Sequence, residues 1–197
     1  QLDVEKVTQG YIDGGASALS VLTDTPFFGG CGDDLRRARM ANNCPVLRKE
    51  FIIDTYQITE AKALGADVIL LIGAVLSRES LHLFTSYAHS LGMEVLYEIH
   101  HKEELDKAPE DVDIIGVNNR NLEDFSVSLD TSVSLAKIIG NSTLKISESG
   151  LKKPEDLIRL KNAGFQGFLM GESFMKTPDP AHTCQQFIQS YKKLAYA

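Results

Sequence analysis

Seven short aliphatic runs separated by stretches of helical periodicity predict an α/β protein built on a parallel sheet. The runs are Ala18–Leu22, Pro45–Phe51, Asp67–Val75, Glu94–His100, Asp113–Asn119, Thr143–Ser149 and Gly167–Phe174. They begin about 25 residues apart, enough for a strand and its crossover helix. No glycine-rich phosphate turn follows the first run, which argues against a doubly wound open sheet. The expected class is therefore a (β/α)8 TIM barrel. Seven of its eight strands fall within residues 1–197, read as one domain that is incomplete at its N-terminal side.

The elements can be taken in order. Asp3 caps an opening helix whose apolar stripe is Val4, Val7 and Tyr11. After the first run, Phe27–Asp34 contains Gly29, Gly30 and Gly32 and reads as a mobile loop able to act as a lid. In Pro45–Phe51 alternate residues share a face, so Leu47, Lys49 and Phe51 point one way and Val46, Arg48 and Glu50 the other. Thr55–Leu64 gathers Ile58, Ala61 and Leu64 on one side, and Arg78–Leu91 gathers Leu81, Phe84 and Ala88. Pro154–Ala163 opens on proline and stops at Gly164. Glycine at 15, 65, 92 and 164 supplies the helix stop before four of the strands. An eighth strand would close the barrel, and its expected place is upstream of Gln1.

Bulk properties bound the function. A net charge of −7 argues against nucleic-acid and anionic membrane partners but leaves room for a small anion bound by local charge. Cys31, Cys44 and Cys184 form no disulfide or metal pattern, which fits a reducing, cytoplasmic location. No signal peptide or membrane-length apolar run is present. His100 and His101 face opposite ways on a strand and His82 and His89 are too far apart, so no metal is assigned.

Barrel chemistry sits at the C-terminal ends of the strands. Five runs here end in polar or small residues: Lys49, Glu98, Asn118-Asn119-Arg120, Ser147-Glu148-Ser149-Gly150 and Gly171-Glu172-Ser173. An ammonium between Leu47 and Phe51 is costly unless paired or used. Lys49 and Glu98 suit acid and base work, and mutual pairing would tune rather than exclude it. The Ser149-Gly150 and Gly171 turns suit a phosphate, since small residues let backbone N–H groups approach an anion. Tight turns that need glycine for backbone reasons alone are the competing reading of each.

These same segments carry a resemblance. Pro45–Phe51, Tyr97-Glu98-Ile99-His100, Gly116–Leu122, Ser147–Gly150 and Met170–Ser173 resemble indole-3-glycerol phosphate synthases of tryptophan biosynthesis. Ser20–Asp24 followed by Phe27–Gly30 looks like that family's second strand and loop. The resemblance implies ring closure of 1-(2-carboxyphenylamino)-1-deoxyribulose 5-phosphate, with loss of CO2 and water and no cofactor. It implies Lys49 as general acid, Glu98 as general base, and Asn118 and Glu148 as polar groups at the reacting centre. Phe28, Phe51 and Leu70 would wall the anthranilate ring. Ser149, Gly150, Gly171 and Glu172 would hold the phosphate, with Arg120 and Lys145 adding positive potential. The family's first strand adds a glutamate and a lysine, and neither lies in these residues. The expected partner is a small phosphorylated anion, and association with other tryptophan-pathway enzymes stays open. The alternatives are another phosphate-binding barrel enzyme of that pathway, or a non-catalytic phosphate-binding barrel fragment.

Overall fold

A computed structural model describes residues 3–122, 124–140 and 143–196. Its strands are β1 (Leu19–Leu22), β2 (Val46–Lys49), β3 (Val68–Ile72), β4 (Glu94–Ile99), β5 (Ile114–Asn118), β6 (Leu144–Glu148) and β7 (Gly167–Leu169). The helices are α1 (Val4–Asp13), α2 (Thr25–Phe28), α3 (Gly32–Ala41), α4 (Thr55–Leu64), α5 (Arg78–Ser90), α6 (Lys102–Leu105), α7 (Asp130–Ala136), α8 (Pro154–Asn162), α9 (Glu172–Met175) and α10 (Pro180–Ala195). All seven strands are parallel and lie in the order β1-β2-β3-β4-β5-β6-β7. This is a nearly closed TIM-type barrel. Among the described residues β1 and β7 are not paired with each other.

Local chemistry sets the element ends. The Asp3 carboxylate accepts the Lys6 N–H and starts α1. Asp54 caps α4 by accepting the Tyr56 N–H, and Gly65 ends it at φ 95°, a left-handed conformation that glycine adopts without strain. The strands are shorter than the apolar runs because turns claim their tails. Val75 and Leu76 both donate to the Ile72 carbonyl, so β3 stops at Ile72. The second half of the last run becomes α9, and Phe174 packs against Tyr11 and Phe187 rather than within a strand. The stretch read as a glycine loop is instead mostly helical, formed by the end of α2 and the start of α3. Helix α10, which packs on α1 and α8, has only the Asp179-Pro180 start as its signal in the sequence.

The sheet has two buried faces, as a parallel barrel requires. Leu47, Val68, Leu70, Ile72 and Leu96 fill the interior, with Phe51, Ile114, Ile146 and Leu169 packed on them. Val46, Ile69, Leu71, Val95, Tyr97, Ile115 and Val117 point outward into the helix layer. The expected alternation of β2 therefore holds: Leu47 faces in, while outward Arg48 and Glu50 form a buried network with Thr23 that reaches half-exposed Glu60. No helix among the described residues is long and apolar enough to cross a membrane.

Leu71 is fully buried between sheet and helices. Leu71→Ala is expected to lower unfolding free energy by about 2–5 kcal/mol in urea denaturation, the cost of a core cavity.

Candidate active site

Inward residues at the strand ends form a polar layer directly above the apolar interior. Lys49 Nζ donates to Glu148 Oε2 at 3.2 Å and to Glu98 Oε2 at 3.4 Å. Asn118 Nδ2 donates to Glu98 Oε1 at 3.1 Å. Four strands, β2, β4, β5 and β6, thus deliver one side chain each to a single hydrogen-bonded group. The lysine side chain keeps 17% exposure, against 5% for Glu98 and 1% for Glu148, so the ammonium is the member that faces the mouth.

Two carboxylates around one ammonium leave an excess negative charge in a dry place. The Glu148 carboxyl responds by rising from 4.5 to about 7: burial is the main cause, and Glu98 adds to it against the opposing pull of Lys49. Burial also pulls the Lys49 ammonium down, but Glu148 and Glu98 outweigh it and its pKa ends above the ordinary value. The group therefore holds proton donors and a hydrogen-bonded carboxylate side by side.

Glycine at 116 makes this possible. It faces Glu98 in register across β4 and β5. A Cβ there would lie 2.3 Å from Glu148 Oε1 and 3.0 Å from Leu96 Cδ1, so the carboxylate occupies the space a side chain would take. Asn119, buried beside it, fixes the next turn. Its amide donates to Ser147 Oγ and to the Glu148 and Ser149 carbonyls at 2.9, 2.9 and 3.1 Å, and its Oδ1 accepts from Ser132 Oγ at 2.8 Å.

The aromatic wall is assembled separately. Asp24 caps α2 by accepting the N–H groups of Phe27 and Phe28, and Phe28 stacks on Phe51 with centroids 5.0 Å apart and planes at 9°. Phe27 meets the same ring edge-on at 5.6 Å. Phe51 is held by its backbone, whose N–H donates to Glu50 and whose carbonyl accepts from Gln57. Leu70 lies beneath, in the interior cluster on which Phe51 packs.

The β6 and β7 ends form the second half of the mouth. Ser149 and Gly150 are both left-handed, at φ 66° and 74°. Ser173 Oγ donates to the Leu151 carbonyl at 3.0 Å and ties the two turns together. Nothing lies within 4 Å of where a Cβ would stand on Gly171, leaving open space above that turn. Glu172 points out to Arg120 and Lys176. Arg120 reaches this side of the mouth, its N–H held by Asn118 Oδ1 at 3.0 Å. Lys145 does not: β6 turns Ile146 and Glu148 inward, and the buried Lys145 ammonium lies on the helix side near Gly164. Alternation along the strand was the signal that separates it from the mouth residues. Gly116 and His100 belong to the site's construction although residue order alone assigned them no role in it, and Asn119, expected at the strand end, works by pinning the β6 turn.

A parallel barrel whose C-terminal strand ends carry a lysine–dicarboxylate group and an aromatic wall defines an enzyme of proton-transfer chemistry. A sequence model of the indole-3-glycerol phosphate synthase family matches residues 1–187. An indole-3-glycerol phosphate synthase of Bacteroides thetaiotaomicron is 48% identical over 186 residues, covering 94% of this chain and 72% of the relative. One from Laribacter hongkongensis is 49% identical over 176 residues, covering 88% and 67%. The chain belongs to the indole-3-glycerol phosphate synthase family, carboxy-lyases of tryptophan biosynthesis. Among solved structures, the 3-hexulose-6-phosphate synthase of Salmonella typhimurium shares the fold at a TM-score of 0.77 and 14% identity, covering 95% of this chain and 92% of that one. The tryptophan synthase A-subunit of Pyrococcus furiosus does so at 0.67 and 16%, covering 95% and 92%.

Two outcomes follow from the packing of Glu148. A carboxyl whose pKa is raised on folding contributes stability that is fully present below 4.5 and lost as pH rises through about 7. Glu148→Gln is expected to be more stable than the parent by about 1–3 kcal/mol at pH 8 and equal to it at pH 4, read by urea denaturation at both values. A pH-independent difference would contradict this. Gly116→Ala is expected to displace Glu148 from Lys49 and lower kcat by about 100-fold, the order of loss from a misplaced reacting group, in steady-state assays.

Proposed function

We propose that this chain's lysine–dicarboxylate group carries out the synthase reaction, with Lys49 and Glu98 in the acid and base roles. The observation that carries the reading is the shared contact of Lys49 Nζ with Glu98 and Glu148 at the barrel mouth. The substrate is 1-(2-carboxyphenylamino)-1-deoxyribulose 5-phosphate. Its aryl ring rests against Phe28 and Phe51, above Leu70, and its phosphate lies over the backbone of Ser149-Gly150 and Gly171-Glu172. Arg120 supplies positive potential on that side.

The ring carbon bearing the carboxylate attacks the ketone carbon, and the carbonyl oxygen gathers negative charge. Lys49, held protonated by its two carboxylates, donates a proton to that oxygen, giving a hydroxyl. The C–CO2 bond then breaks and its electron pair returns to the ring, which regains aromaticity. Dehydration follows once Lys49 has regained a proton from solvent at the mouth: Glu98 takes a proton from the ring carbon beside the nitrogen, Lys49 gives its proton to the hydroxyl, and water leaves. Asn118 holds Glu98 Oε1 in place, and Glu148 keeps Lys49 charged and aimed. The proton relay requires no metal.

Among the described residues the β1 and β7 edges carry no strand between them, and we assign to an eighth strand there the glutamate and lysine that the family resemblance implies. The enzyme works in the cytoplasm on a small anion.

Lys49→Ala is expected to lower turnover by about 10²- to 10⁴-fold, the range supplied by a positioned proton donor. Fluorescence of the indole product measures it directly. Ordinary turnover in that variant contradicts the acid assignment.

A further inference from the structure

His100 lies one residue past the end of β4, and its ring comes back beside the Glu98 carboxylate. It is 95% buried, and neither ring nitrogen has a hydrogen-bond partner at ordinary distance. Such a ring is expensive to bury unless charge compensates it. Two carboxylates do so. His100 Nε2 lies 3.4 Å from Glu98 Oε1, and Nδ1 lies 3.8 Å from Glu104 Oε2.

Glu104 is itself fixed. Its Oε2 accepts the backbone N–H of His100 at 2.6 Å and of His101 at 3.4 Å, which closes the first turn of α6. Its carbonyl accepts the Tyr97 hydroxyl at 2.7 Å. Glu104, His100 and Glu98 thus form a line from the helix layer to the mouth, ending on the oxygen that also receives the Asn118 amide.

We propose that His100 is a positioning residue for Glu98, its ring packed by charge against Oε1 at 3.4 Å and flanked on the other side by Glu104. The role rests on Glu98 as the base of the reaction. Asn118 bonds Oε1 and His100 lies against the same oxygen, while Oε2 stays with Lys49.

The charged groups facing the ring are Glu98 on β4, Glu104 on α6 and Glu148 on β6, with Lys49 on β2 paired to Glu98 and Glu148. Burial pulls the imidazole pKa down, but Glu104, Glu98 and Glu148 more than offset it and the net direction is up.

The test combines kinetics with titration. His100→Leu is expected to lower kcat about 10- to 100-fold while KM changes less than about twofold, the pattern of a misaligned reacting group. His100→Gln, whose amide N–H stands where Nε2–H stood, is expected to recover most of that loss. Imidazole NMR of the parent should show His100 titrating above its ordinary value, and Glu98→Gln should bring the midpoint down. Unimpaired kcat in His100→Leu, equal impairment in His100→Gln, or a midpoint unmoved by Glu98→Gln each overturns the proposal. The NMR arm decides it if His100→Leu does not fold. The two readings separate: ordinary turnover in Glu98→Gln contradicts Glu98 as base, whereas an inactive Glu98→Gln beside an unimpaired His100→Leu contradicts His100 alone.

Discussion

One lysine ammonium is held at the mouth of an apolar barrel by two buried carboxylates, and the rest of the site depends on that imbalance. A single carboxylate would balance the Lys49 charge, and the second leaves the group one negative charge in excess. Two of them keep it charged, raise the Glu148 carboxyl and leave Glu98 fixed by Lys49 and Asn118. Removing the lysine would leave two buried carboxylates without compensation, a loss of about 3–5 kcal/mol. Every neighbouring element is shaped to avoid that. Gly116 gives up its side chain to make room, Asn119 pins the end of β6, and the interior leucines keep water from below.

Strand β2 shows how one alternating segment serves both faces. Inward, Leu47 completes the interior and Lys49 the site. Outward, Arg48 bonds Thr23, Glu60 and the Gln57 carbonyl, which anchors α4 against the sheet. Gln57 in turn holds the Phe51 carbonyl, and Glu50 its N–H. The aromatic wall and the lysine are therefore placed by the same outward network, whose members never reach the mouth. Stability is traded for chemistry only on the inner face, where a raised Glu148 works against folding near neutral pH.

Much of this was legible in residue order. Alternation separated Lys49 from Arg48, and the strand-end positions of Glu98, Asn118 and Glu148 brought them to one layer, because parallel strands share direction. What escaped was of two kinds. Gly116 in the middle of β5 reads as an ordinary strand glycine until the Glu148 carboxylate from the next strand is seen in its place. His100 looked like half of an ill-suited metal pair, because nothing local shows that Glu104 folds back onto it from α6. Lys145 was misassigned for the opposite reason: a basic residue near a strand end attracts notice, but its odd position on β6 sends it to the helix side. Phe27–Asp34 escaped as helix because three glycines outweigh the Asp24 cap in any local reading.

The central claim is that Lys49 acts as an acid because Glu148 holds it charged and aimed, so the two side chains are one unit. A double-variant cycle on kcat measures this directly, using Lys49→Met, Glu148→Gln and both together. The account predicts that the double variant is no worse than the poorer single variant by more than about twofold, the non-additivity of residues acting as a unit. Losses that multiply would show that Lys49 and Glu148 act independently, and would contradict the account.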